Sequence, residues 1–425
     1  MKKYIHITLI IMLGFFVYNN QSFGINYKFY FGDELHYEGY TKINKSTIYN
    51  ENSHYGYDLN TIPKDNNPYF FSIQMPEGNY KLTLTLGSKN HPTNTTVKSE
   101  SRRLMLENVE TQQNEFVEKS FVVNTRNIMI GNNDSVRIKE REIGKLNWDD
   151  KLTIEINGKN PGLMKLEIES ISVPTIFLAG NSTVVDQSYE PWCGWGQILP
   201  RFLKSNIAVA NYAESGESAS SFISSKRLTK ILTKIKENDY LFIEFGHNDQ
   251  KRKGPNIGPF TSYKKDLEYF IDKVREKRAT PILVTPMHRR SFDDEGKVIN
   301  TLGEYPNAMK ELANEKNVML IDLNKMSRIL YEAWGAEESK KAFVHYPAGT
   351  FPDQLTELKD NTHFNTYGGY QICKCIIKGL IDNDSPLKNN LVEDFTYFDP
   401  TNPDSEADFY IHPTPFTSIE KPEGN

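Results

Sequence analysis

Thr175-Ile176-Phe177-Leu178-Ala179-Gly180-Asn181-Ser182-Thr183 is an apolar run that stops at a glycine and a polar triplet. Five apolar residues are too few for a helix, and an unbroken run fits a strand buried on both faces better than one with a wet side. Four further runs share this character: Ile207-Ala208-Val209-Ala210-Asn211, Tyr240-Leu241-Phe242-Ile243-Glu244-Phe245, Pro281-Ile282-Leu283-Val284-Thr285 and Val318-Met319-Leu320-Ile321-Asp322. Helical patterns lie between them, over Lys226–Glu237 and Tyr263–Arg278. In the second, Leu267, Phe270, Ile271 and Val274 recur at three- and four-residue spacing. Alternation of strand and helix as far as Ile381 predicts a parallel sheet with right-handed crossovers and helices on both faces.

Upstream the periodicity differs. From Ile25 to Val173 short runs alternate with period two, as in Phe70–Met75, Tyr80–Leu86, Lys151–Ile156 and Leu163–Ile168. Pro76-Glu77-Gly78-Asn79 and Asn157-Gly158-Lys159-Asn160-Pro161-Gly162 supply turns between them. With no amphipathic helix in this part, an antiparallel β-sandwich over 25–173 is expected. The α/β part then spans 174–384. Ser385–Asn425, rich in Pro, Asp and Asn, is expected to be an extended tail draped on the surface. At the other end, Met1-Lys2-Lys3, an apolar Ile5–Val17 stretch and Ser22-Phe23-Gly24 form a signal-peptide pattern over 1–24, which predicts export to a periplasm or the medium. No other apolar run is long enough to span a bilayer, so stable membrane association is not expected.

Composition narrows the function. The 425 residues carry 50 Lys+Arg against 55 Asp+Glu, a formal charge of -5, without the basic excess of a sequence-independent nucleic-acid binder. Cys193, Cys373 and Cys375 are an odd set in a long chain, read as small buried residues and not as a disulfide framework. No ligand set spaced for zinc occurs, and no metal or organic cofactor is expected.

In a doubly wound sheet, chemistry gathers at the carboxyl ends of the strands. Reading past those ends gives Asn181-Ser182-Thr183, then Ser215-Gly216-Glu217, then Gly246-His247-Asn248-Asp249, with Asp360-Asn361-Thr362-His363-Phe364 before the last helix. These supply a hydroxyl, an imidazole with a carboxylate three positions before it, a glycine and an asparagine. Acyl transfer needs those groups: a base to take the serine proton, a carboxylate to orient that base, and donors aimed at the developing oxyanion. Taken alone, Asn181-Ser182-Thr183 is good helix-capping material and also a glycosylation sequon, as is Asn94-Thr95-Thr96. His247 reads as structural, Asp249 as a cap or a substrate contact, and Trp192 and Trp195 as core.

The four blocks in order resemble the SGNH (GDSL-type) hydrolases, with Ser182, Gly216, Asn248 and His363 at the name-giving positions. Ala179–Val184, Trp195-Gly196-Gln197, Gly246–Asp249, Thr285–Arg290 and Asp360–Phe364 resemble rhamnogalacturonan acetylesterases in particular. Typical members carry Asp where this chain has Asn181. The resemblance covers about Thr175 to Asp382 and implies a flavodoxin-like doubly wound sheet, with a galactose-binding-like shape for the sandwich. It implies Ser182 as nucleophile, His363 as base, Asp360 as its orienting carboxylate, and an oxyanion hole from the Ser182 and Gly216 N–H groups and the Asn248 side chain. The expected substrate is acetylated pectic rhamnogalacturonan. Arg289 and Arg290 are candidates for its carboxylates, since arginine matches them geometrically. Rival readings are the same chemistry on acetylated xylan or a lipid ester, and an inactive hydrolase domain carried by a carbohydrate-binding protein. A Gly-x-Ser-x-Gly elbow and a marked pair of glycosidase carboxylates are both missing from the sequence.

Overall fold

The computed structural model describes residues 24–64 and 66–422, so the expected leader, apart from Gly24, lies outside the described residues. The N-terminal part consists of two five-stranded sheets. In one, Thr41–Lys42, Asn26–Tyr30, Leu163–Ser170, Gly78–Gly87 and Phe116–Thr125 lie side by side in that order. In the other the order is Tyr55–Asp58, Tyr69–Gln74, Lys151–Asn157, Thr93–Ser99 and Arg103–Thr111. Period two in the sequence becomes two faces here. Leu82, Leu84 and Leu86 are sealed in the core between the sheets with Phe71, Ile73, Ile154 and Ile168, while Lys81, Thr83 and Thr85 stay partly wet. Each such aliphatic side chain contributes roughly 1.5–3 kcal/mol by leaving water.

The α/β part has five parallel strands: β1 (Thr175–Ala179), β2 (Ala208–Asn211), β3 (Tyr240–Ile243), β4 (Thr280–Val284) and β5 (Met319–Ile321). Their order is β2-β1-β3-β4-β5, all pairs parallel. Around them pack α1 (Ala219–Ser224), α2 (Arg227–Lys234), α3 (Lys264–Glu276), α4 (Tyr305–Lys316), α5 (Leu323–Trp334) and α6 (Thr366–Asp382). Alternate residues of one strand serve opposite faces. Ile176 and Leu178 join a core with Ile372 and Ile376 of α6, whereas Phe177 and Ala179 join one with Phe270 and Ile271 of α3. That two-sided burial is why these strands read as continuous apolar runs.

Three features differ from the sequence reading. Helix α2 begins at Arg227 because Lys226 takes a left-handed φ of 65°, and it ends where Ile235 turns extended. Asp360–His363 does not sit in a loop: it belongs to β7 (Leu358–Phe364), which pairs antiparallel with β6 (Phe343–Tyr346). The C-terminal segment is a strap and not a surface drape. Leu387 and Phe398 enter the α/β core. Thr414 is buried and donates its hydroxyl to Glu155 of the sandwich at 2.6 Å. Ser418 O then receives Trp192 Nε1–H at 2.8 Å, which brings the strap to the carboxyl edge of the parallel sheet. Cys373 and Cys375 are both buried free thiols on α6, which is enclosed around most of its circumference.

One hairpin of the sandwich reaches deep into the α/β part. The turn Glu100-Ser101-Arg102 joins Thr93–Ser99 to Arg103–Thr111 and reaches into the segment after β1. Arg102 Nη1 donates to the carbonyls of Gln187, Tyr189 and Trp192 at 3.2, 2.8 and 2.8 Å. Gln197 Nε2 donates back to Arg102 O at 3.1 Å. The loop that follows Ser182 is therefore held from the sandwich side.

Candidate active site

β1 delivers Ser182 on a tight turn. Asn181 O accepts the Val184 and Val185 N–H groups at 3.0 and 3.1 Å. Asn181 Oδ1 accepts Thr183 N–H at 3.1 Å and Thr183 Oγ1–H at 2.9 Å. The turn thus uses the acceptor oxygen that Asn shares with Asp. Gly180 is required by close approach: a Cβ there would stand 2.5 Å from Val184 Cγ2. Asn181 is fully buried, so the sequon it begins is closed off in the folded chain.

Ser182 Oγ lies 2.9 Å from His363 Nε2, and His363 Nδ1 lies 2.8 Å from Asp360 Oδ2. The other Asp360 oxygen accepts the N–H groups of Thr362 and His363 at 2.7 and 2.9 Å. Three residues spread over nearly two hundred positions therefore form one hydrogen-bonded line. Burial pushes the Asp360 carboxyl up, but the hydrogen bond and charge of His363, with those N–H groups, outweigh it and hold it well below the usual carboxylate range. Burial lowers His363; the bond and charge of Asp360 oppose this, and Lys421 and Lys251 add to it, with a net downward shift. The imidazole is neutral at pH 7, with Nδ1–H donated to Asp360 and a lone pair on Nε2 facing the serine. That is the state a general base requires.

The loop after β2 carries Gly216 at φ +78°. Gln187 Nε2 donates to Ser182 O at 3.0 Å and to Ser215 Oγ at 3.3 Å, tying the two loops together. Lys139 Nζ and Arg141 Nη2, both from the sandwich part, donate to Ser215 O at 2.7 and 2.5 Å. In a trans peptide the N–H points opposite to the C=O, so the Gly216 N–H is aimed away from those cations. Asn248 follows β3 and donates Nδ2–H to Glu217 O at 3.0 Å. One amide hydrogen remains for a further acceptor.

Other sequence candidates take scaffold positions. Asp249 accepts Ala219 N–H and Gly246 N–H, both at 2.9 Å, so it fastens the β3 loop to α1. His247 is buried, which keeps it neutral. Trp195 is in the core and donates Nε1–H to Glu244 at 2.6 Å. Trp192 is buried too, yet its ring stands edge-on to the His363 ring with centroids 5.7 Å apart. Arg290 donates to Ser339 Oγ and Asn361 Oδ1 at 3.0 Å each, and also to Ala336 O. Three of its five N–H groups brace its own loop to the Ala336–Ser339 segment and to Asn361 of β7, a structural role the sequence reading did not include. Arg289 donates Nη2–H to His247 O at 3.3 Å, which puts it behind the β3 loop.

Three participants were not foreseen. Glu244 lies beneath the nucleophile turn, with Oε1 3.0 Å from Thr183 Oγ1, and burial pushes its pKa up to about 7. A carboxylate at the end of an apolar strand run was its one sequence signal. Gln187 offered no signal. Lys421, 3.6 Å from Asp360 Oδ2, could not have been found, since only the path of the strap brings it there. Among the described residues, no group of three or more His, Cys, Asp or Glu is placed to hold a metal ion, and no helix is long and apolar enough to cross a membrane.

A profile of the GDSL-like lipase/acylhydrolase family matches residues 178–369. Rhamnogalacturonan acetylesterase RhgT of Bacillus subtilis is 42% identical over 219 residues, covering 51% of this chain and 94% of that protein. YesY of the same organism, described as a probable rhamnogalacturonan acetylesterase, is 35% identical over 225 residues, covering 52% and 98%. Among solved structures, the crystal structure of protein YXIM from Bacillus subtilis is similar over 85% of this chain and 99% of its own, at 22% identity and a TM-score of 0.47.

Proposed function

Since this chain belongs to the GDSL-like lipase/acylhydrolase family of carboxylic ester hydrolases, we propose that it is an exported serine acetylesterase acting on pectic rhamnogalacturonan. The observation that carries this reading is the line Ser182–His363–Asp360 at 2.9 and 2.8 Å, in a chain 42% identical to a rhamnogalacturonan acetylesterase over 219 residues.

In the proposed reaction His363 Nε2 takes the Ser182 Oγ proton as that oxygen attacks the acetyl carbonyl. Asp360 holds the tautomer and stabilises the imidazolium that forms. The Ser182 and Gly216 N–H groups and the Asn248 amide receive the oxyanion, and each such donor is worth roughly 2.7–4 kcal/mol in comparable sites. His363 then gives its proton to the departing sugar oxygen. Water, deprotonated by the same imidazole, releases acetate from the Ser182 ester.

The test is acetate release from acetylated pectin, acetylated xylan and short lipid esters by the full chain. Turnover is expected on acetylated pectin, with far lower kcat/KM on the other two. Preference for xylan or lipid esters would keep the chemistry and reject the pectic assignment.

A further inference from the structure

Arg126 lies just past the strand Phe116–Thr125 of the sandwich and is 3% exposed. Its Nε and Nη1 are buried without a hydrogen-bond partner. The guanidinium lies against two aromatic faces, 4.7 Å from the Trp148 centroid and 5.2 Å from that of Tyr212. A buried cation costs several kcal/mol when nothing pairs with it. The neighbouring carboxylates are committed elsewhere: Asp186 to Arg103 and Asn211, Glu214 to Arg141, and Glu142 to Arg227 and Trp148.

Arg126 lines a cavity of about 350 Å³ between the sandwich, the α/β part and the strap, within the range of ligand sites, roughly 300–1,000 Å³. Trp148, Trp192 and Tyr189 give it aromatic walls; Arg141, Lys145 and Lys421 line it beside the carboxylates of Glu142, Asp186, Glu214 and Glu420. Three of its lining residues touch the catalytic groups. Gln187 of its wall donates to Ser182 O, Trp192 abuts His363, and Lys421 reaches Asp360.

We propose that this cavity is a subsite for a uronate residue of the polymer, flanking the acetylated sugar, with Arg126 receiving the uronate carboxylate. A guanidinium fork matches a carboxylate in plane and spacing. The aromatic walls suit the apolar C–H face of a pyranose. The proposal rests on the pectic reading and deepens it, because it gives the sandwich a role in choosing an anionic polysaccharide. It also adds an arginine outside the α/β part to the candidates for carboxylate recognition.

Calorimetric titration of the full-length protein with digalacturonate and with neutral xylobiose tests it. Digalacturonate is expected to bind at least tenfold more tightly than xylobiose, and Arg126→Gln to raise its Kd tenfold or more while leaving the xylobiose value in place. Equal binding of the two disaccharides by the wild type, or equal digalacturonate affinity in wild type and variant, overturns the proposal. Should Arg126→Gln fail to fold, Arg126→Lys keeps the charge without the fork and is expected to weaken digalacturonate several-fold; an unchanged Kd there is equally fatal. Acetate release from acetylated pectin separates the two levels. Turnover without an Arg126 effect removes the subsite alone, and an Arg126-dependent preference without turnover removes the pectic reading alone.

Discussion

Arg103 of the sandwich donates Nε–H to Asp186 of the α/β part at 2.8 Å, with both side chains sealed from water. Asp186 also receives Asn211 Nδ2–H at 2.7 Å, so one carboxylate joins the hairpin, the loop after Ser182 and the end of β2. Removing one partner leaves the other as a buried, uncompensated charge. Arg103→Ala is expected to destabilise by about 3–5 kcal/mol, and Arg103→Met combined with Asp186→Leu by less than Arg103→Ala alone. Urea denaturation of the three proteins checks the order; a double variant no better than Arg103→Ala would make the pair a packing contact only.

Ser182→Ala deletes the attacking oxygen and little volume. Acetate release is expected to fall by about a thousandfold or more, with the melting temperature within a few degrees of wild type. Activity within tenfold of wild type would remove Ser182 from the reaction.

Asp360→Asn keeps the shape of the His363 partner and loses its charge, allowing the wrong imidazole tautomer. A kcat loss of about 10⁴-fold is expected, with KM little changed. The same pair sets the pH profile. Attack needs neutral His363, whose pKa lies below the ordinary 6.5. The acid limb of kcat/KM should therefore have its midpoint below pH 6.5, with full activity at pH 7. A midpoint above 6.5 would mean that Asp360 outweighs burial.

Asn248→Ala removes an amide aimed at charge that exists only in the transition state. Its signature is a drop in kcat of about 10²–10³-fold, with KM within about twofold. Steady-state kinetics on an acetylated oligosaccharide decide this, and a rise in KM alone would make Asn248 a binding residue.

Glu244 is a buried acid pushed up to about 7, above its ordinary 4.5. The folded state therefore holds this proton between about pH 4.5 and 7 while the unfolded chain has released it, and stability from this group declines as pH rises through that window. Glu244→Gln cannot ionise. Its melting temperature relative to wild type should climb between about pH 5 and 7 and level off above that. A difference that stays flat with pH would show that Glu244 does not titrate in the folded protein.

Local chemistry made much of this protein legible from its sequence. Runs such as Thr175–Ala179 and Leu283's strand are apolar on both faces because both faces are covered, and Tyr80–Leu86 alternates because one face is wet. Ser182, Gly216 and Asn248 stood out because a strand end followed by a small or polar residue is a local pattern, and His363 because a carboxylate precedes it by three positions. Tertiary structure alone decided the rest. Asp360 and His363 lie on a strand, since β6 supplies partners from outside the segment. Arg290 is a brace, since the Ala336–Ser339 segment and β7, both distant in the chain, accept from it. Arg126 and Lys421 meet one cavity, since the end of the sandwich strand Phe116–Thr125 and the strap come together at the boundary between the two parts. Periodicity records how much of a side chain is buried, whereas the identity of its partner depends on contacts between residues far apart in the chain, which no local pattern encodes.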